Sequence, residues 1–156
     1  YVMDRCEILY SQDDVRWLVG QIEVLKPFPE TVEALGVLRE GGFKLAILSN
    51  GDRDMLEAAK PHIGFAFDQL ISVQEAGYFK PHWKTYESAE VLVAEERSSC
   101  LFVASHVFDC IGAKSYGMRT AFIDRHKRPF VETPHQADMV VADLAELAAS
   151  LTAASE

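Results

Sequence analysis

Apolar positions in this chain alternate between short, nearly all-apolar runs and longer stretches in which they recur every three or four residues. From Asp13 to Leu25, the residues Val15, Leu18, Val19, Ile22 and Leu25 keep helical spacing. Pro27-Phe28-Pro29 ends that helix, since proline lacks an amide donor and restricts the residue before it. Thr31 to Glu40 predicts a second helix, closed by Gly41-Gly42 where a left-handed residue is wanted. A strand follows over Phe43–Leu48, then a helix that Asp52 or Asp54 can cap. The alternation continues with strand Gln69–Val73, helix Thr85–Ala94, strand Cys100–Ala104 and helix Phe108–Tyr116, which Gly117 stops. Strands Thr120–Ile123 and Met139–Val141 and helix Leu144–Leu151 complete the pattern, and Thr152 to Glu156 reads as a frayed tail. Strands that are apolar throughout, separated by helices with short connections, define an α/β fold with a doubly wound parallel sheet covered on both faces. The first 25 residues contain no strand and stand apart from that sheet.

Composition narrows the function. A length of 156 residues is enough for one domain with a substantial core. The formal charge of −9 argues against a general affinity for nucleic acid or for an anionic membrane. No run approaches the roughly 18 apolar residues of a spanning helix. Cys6, Cys100 and Cys110 have no metal-ligand spacing and are odd in number, which fits a reducing, cytoplasmic compartment. His62, His82, His126 and His135 show no metal-site spacing either.

Candidate chemistry sits where the strands end, because ligands of open parallel sheets bind in the crevice beyond the carboxyl ends of the strands. Ser49-Asn50-Gly51 follows the first strand. It can be a plain turn and cap, or a set of hydroxyl and amide donors for a carboxylate or phosphate oxygen. Lys80 before Pro81 is a solvated lysine unless it points into the crevice, where its ammonium would keep a neighbouring Asp ionised. Tyr86, six residues on, is either a packing aromatic or a phenol facing the same crevice. Asp109 either favours the start of its helix by charge or holds the Lys80 ammonium in place. His106 is a loop histidine or a base.

Leu-Ser-Asn-Gly at 48–51, Lys-Pro-x-x-x-x-Tyr at 80–86, Phe-Val-Ala-Ser-x-x-x-Asp at 102–109 and Gly112-Ala113-Lys114-x-x-Gly117 occur in that order. Together they resemble the haloacid dehalogenase superfamily, and within it the 2-haloacid dehalogenases, from about Pro27 to Leu147. The resemblance implies a Rossmann-like core over 27–156 and a remnant of a helical cap over 1–26. It implies hydrolysis of short 2-haloalkanoic acids to 2-hydroxy acids through an Asp ester, with no cofactor and no metal. The expected catalytic residues are Lys80, Asp109, Ser105 and His106, and the expected substrate-binding residues are Ser49, Asn50 and Tyr86. A small 2-haloacid is the expected partner, and such enzymes are often homodimers.

The phosphatase branch of the superfamily is the main alternative. Its members usually place a second carboxylate four residues before the position of Asp109 to hold magnesium, and Ser105 stands there instead. Two positions depart from many dehalogenases, which carry Ser at Ala104 and Asn at His106. The larger departure is the nucleophile. The family carries it in an Asp-x-Tyr-Gly-Thr-like segment after an early strand, and neither Asp4 nor Asp13-Asp14 has that setting. The expectation is therefore a core whose first strand is missing and which is inactive by itself. A non-catalytic binding protein of the same fold stays open as a third reading.

Overall fold

Seven α-helices and five strands form within residues 2–127 and 130–153, the part of the chain that the computed structural model describes. Helices α1 (Val2–Arg5) and α2 (Gln12–Glu23) come first. Ser11 caps α2 in a reciprocal box with Asp14, satisfying amides that a helix start leaves open. Then follow α3 (Thr31–Glu40), β1 (Ala46–Ser49), α4 (Arg53–Ile63), β2 (Gln69–Ser72) and α5 (Trp83–Val93). The chain continues through β3 (Leu101–Ala104), α6 (Val107–Tyr116), β4 (Arg119–Ile123), β5 (Met139–Val141) and α7 (Leu144–Ala153).

The predicted alternation is present, with shifts that have local causes. The strand expected from Phe43 begins at Ala46. The Phe43 amide closes α3 by donating to the Leu38 carbonyl, and the Leu45 amide donates to the Asp68 carboxylate at 2.7 Å. Asp52 caps α4 by accepting from the Met55 amide. The last helix absorbs part of the expected tail, because the Thr152 hydroxyl donates to the Ala148 carbonyl. Residues 154–156 of that tail lie outside the described residues.

All strand pairings are parallel, as a doubly wound sheet requires, but the ladder comes in two pieces. β1 pairs with β2, and β3 pairs with β4, which pairs with β5. Helices cover both faces. Leu101 packs with α7 residue Leu147, while its neighbour Phe102 packs with Tyr86 and Ala113 of α5 and α6. Successive side chains of a strand point to opposite faces, so these clusters lie on opposite sides of the sheet. α3 and α7 meet through Ala34, Leu38 and Ala148. α2 lies against α4, with Trp17 and Ile22 more than half exposed.

Asp138 stitches the three-stranded piece together. Its carboxylate accepts from the Thr120 amide at 2.8 Å and pairs with Lys114 of α6, and its own amide donates to the Thr120 carbonyl. Chiefly the Lys114 ammonium, with the Thr120 amide helping and burial opposing, holds the Asp138 carboxyl below the usual Asp value. A lowered folded-state value means that this stabilisation is full above the unfolded value near 3.8 and lost as pH falls through the lower folded one. Asp138→Asn is therefore expected to lower the melting temperature at neutral pH. The difference from the parent should narrow as pH drops below about 4. A pH series of melting temperatures checks this.

Candidate active site

The carboxyl ends of β1 and β3 meet at one lysine. The Lys80 Nζ donates to the carbonyl of Leu48, one residue before Ser49, at 3.1 Å. It also lies 3.3 and 3.4 Å from the two carboxylate oxygens of Asp109, in the first turn of α6. Both side chains are withdrawn from water, with 10% and 9% of their surface exposed. Asp109 Oδ1 is at ion-pair distance from the ammonium but has no hydrogen bond of good direction. A buried carboxylate oxygen with an unused lone pair has capacity to accept from a further donor.

Local contacts aim the lysine inward. The Asn50 side-chain oxygen accepts from the Lys80 backbone amide at 2.8 Å, tying the loop to the end of β1. The Thr85 hydroxyl donates to the Tyr78 carbonyl at 2.7 Å, and the Tyr78 ring stacks on His82. Ser49 is half-buried, and its oxygen accepts from the Gly51 amide at 3.0 Å. Ser49, Asn50, Lys80 and Asp109 therefore share one rim of the sheet.

Tyr86 lies behind the rim. It is fully buried, and its hydroxyl donates to the Asp109 backbone carbonyl at 3.2 Å. Burial foremost, with the nearby Asp109 charge, pushes the phenol well above its ordinary pKa and keeps it a donor. The residue supports Asp109 from behind and does not open onto the rim. The close approach that makes this fit is Gly112. A methyl there would clash with the Tyr86 hydroxyl and come within 2.7 Å of the Pro81 Cβ.

Ser105 and His106 are exposed and stand just beyond β3. They line a depression of about 260 Å³ together with Phe28 and the residues that follow β4, including Arg125 and His126. His106 caps α6 through its backbone, its side chain free of any capping bond and inclined toward Phe108. The two residues adjoin Asp109 in sequence but no hydrogen bond joins them to Lys80 among the described residues. Sequence reasoning missed Arg125, whose guanidinium lies 3.8 Å from the Phe28 ring centre and pairs with Glu30. That clasp fixes the Pro27-Phe28-Pro29 linker as one wall of the depression, and no periodicity in the loop after β4 announces it.

Fold and rim are those of the haloacid dehalogenase-like family. A model of the family described as haloacid dehalogenase-like hydrolase matches residues 4–117, and the chain belongs to that family. It is similar to the (S)-2-haloacid dehalogenase of Pseudomonas sp. (strain YL), with 38% identity over 77% of this chain and 53% of that protein. It is also similar to the haloacetate dehalogenase H-2 of Moraxella sp. (strain B), with 40% identity over 75% of this chain and 53% of that protein. The chain thus spans about half the length of these relatives. A crystal structure of an L-2-haloacid dehalogenase superposes with a TM-score of 0.92 and 29% identity, covering 97% of this chain and 67% of that one.

Proposed function

We propose that this chain supplies the substrate-binding and charge-balancing half of a site that hydrolyses short 2-haloalkanoic acids to 2-hydroxy acids. The observation that carries this reading is the buried Lys80–Asp109 pair beside Ser49 and Asn50. A carboxylate nucleophile displaces halide from C2, forming an ester and breaking the carbon–halogen bond. Water then adds to the ester carbonyl, freeing the 2-hydroxy acid and regenerating the carboxylate. Lys80 keeps such a carboxylate ionised, and Asp109 offsets the charge of Lys80. The Ser49 hydroxyl can donate to the substrate carboxylate. Asn50 uses its oxygen on Lys80, which leaves its NH2 group for the departing halide. Ser105 and His106 are assigned to the hydrolytic water. The nucleophile itself is assigned to a strand outside these 156 residues, and 1–26 to the helical cap.

A magnesium-dependent phosphatase fits less well. It needs a second carboxylate where Ser105 stands, and Asp109 already faces an ammonium at 3.3 Å. The free state of all three cysteines supports a reducing compartment, and the exposed apolar side of α2 supports a homodimer.

Calorimetric titration with 2-chloropropionate tests the assignment. Binding is expected without magnesium, and Ser49→Ala should weaken it by about tenfold or more, as loss of a hydrogen bond to a charged group does. Chloride release by the chain alone should be negligible. Magnesium-dependent hydrolysis of a phosphate ester, or enzyme-like chloride release abolished by Asp4→Asn or Asp13→Asn, would overturn the reading.

A further inference from the structure

Asn50 is the one asparagine of the chain, and a glycine follows it. That pair is chemically labile. Closing a five-membered ring brings the nitrogen of the next residue onto the asparagine Cγ, and glycine has no Cβ to obstruct the approach or restrict the backbone rotation it needs. The pair lies between the end of β1 and Asp52, the cap of α4, outside any helix or strand. Both residues are half-buried, so water reaches them.

Two hydrogen bonds occupy the reacting groups. The Asn50 side-chain oxygen accepts from the Lys80 backbone amide at 2.8 Å, and the Gly51 amide donates to the Ser49 hydroxyl oxygen at 3.0 Å. The Gly51 carbonyl is fixed in turn, accepting from the Ser72 hydroxyl at 2.8 Å. The glycine is thus anchored, and the asparagine side chain is the part that must swing. What restrains it is a contact reaching across 30 residues to the loop before α5. Tyr78 and Phe79 of that loop are 43% and 68% exposed, and a segment that buries little apolar surface opens locally at small cost.

We propose that Asn50 is a self-modification site gated by this loop. When the Lys80 amide lets go, the Gly51 nitrogen attacks Cγ. A bond forms between them and the bond from Cγ to the side-chain nitrogen breaks. That nitrogen leaves as ammonia, taking the Gly51 amide proton. Water then opens the cyclic imide. Opening at one carbonyl gives aspartate, and opening at the other gives isoaspartate, in which the main chain runs through Cγ. Base removes the amide proton before the attack, so the rate rises with pH. Both products put a carboxylate on the rim where Asp109 already balances Lys80, and isoaspartate adds a methylene between β1 and α4. On the functional reading above, the NH2 group that faces the departing halide becomes an anion that repels it. The rim therefore has a chemical lifetime set by how often the loop opens. That consequence rests on the functional reading, whereas the modification itself does not.

Mass spectrometry of the whole chain, incubated at physiological temperature and neutral pH, tests this. With a single asparagine present, one amide-to-acid exchange reports on one residue, peptide mapping places it, and enzymatic isoaspartate methylation detects the rerouted product. The folded chain is expected to convert about ten- to a thousandfold more slowly than the chain unfolded in guanidinium chloride, as for a surface loop that opens locally. Thr85→Val removes the hydroxyl that holds the Tyr78 carbonyl, and should speed conversion of the folded chain several-fold. Gly51→Ala should slow the unfolded reaction at least tenfold. A folded rate outside the stated window would overturn the gate, and so would a folded Thr85→Val chain no faster than the parent. If Thr85→Val does not fold, the comparison of folded and unfolded parent decides. Acid formed without isoaspartate, or at an equal rate in unfolded Gly51→Ala, would mean direct hydrolysis and would overturn the ring mechanism. None of these readouts depends on halide release, so failure of the dehalogenase reading would leave a positive result standing.

Discussion

Lys80→Met is expected to cost about 3–5 kcal/mol of folding stability at neutral pH, because it strands the Asp109 carboxylate in a site that is nine-tenths closed to water. The methionine keeps the length and packing of the stem, so the loss reports the charge. Asp109→Asn should also destabilise, since it strands the Lys80 ammonium, but by less, because the amide oxygen and the Leu48 carbonyl still accept from it. The double variant Lys80→Met/Asp109→Asn should recover much of the loss, because exchanging both members of a buried pair for uncharged groups removes the desolvation cost with the attraction. Urea denaturation of the four proteins gives the coupling directly. Strict additivity would mean that the pair is not coupled and that Lys80 serves the rim in some other way.

The second large effect comes from the smallest change. Gly112→Ala should destabilise the protein by about 1–3 kcal/mol or more, although alanine favours a helix interior by about 1 kcal/mol over glycine. The added methyl clashes with the Tyr86 hydroxyl and with Pro81, so either Tyr86 leaves the Asp109 carbonyl or α6 shifts outward. Both movements disturb Asp109 and the Lys80–Pro81 loop together. A variant more stable than the parent would show that the α5–α6 packing is loose and that Tyr86 does not hold Asp109. Thermal melts of Gly112→Ala beside Gly36→Ala, whose methyl would meet nothing within 4 Å, separate packing from propensity.

These contacts explain what was and was not legible in the sequence. Helix Thr31–Glu40 is present over the residues predicted, because apolar spacing, a proline before it and a glycine pair after it all agree. Phe43 reads as strand beside its apolar neighbours, yet its amide is spent on closing α3. Tyr86 illustrates the limit of motif reasoning. Its spacing from Lys80 marks it as a site residue, but the apolar stripe of α5 carries it inside, next to buried Thr85 and Ala89, where it can only act through Asp109. The meeting of Lys80 with Asp109 spans 29 residues and leaves no trace in local periodicity. It was legible only through the order of the motifs. Asp138 and Arg125 act across strands and across the linker from irregular loops, where no pattern of polar and apolar residues distinguishes an anchor from a solvated charge.

The most direct measurement is an NMR titration of the protein with (S)-2-chloropropionate, following the Ser49, Asn50 and Gly51 amides and the Lys80 side-chain ammonium together. All four are expected to shift with one common dissociation constant, and Ser49→Ala is expected to weaken them in parallel. Shifts confined to the groove between α3 and α7, or backbone shifts near Ser49 with an unmoved Lys80 ammonium, would contradict it.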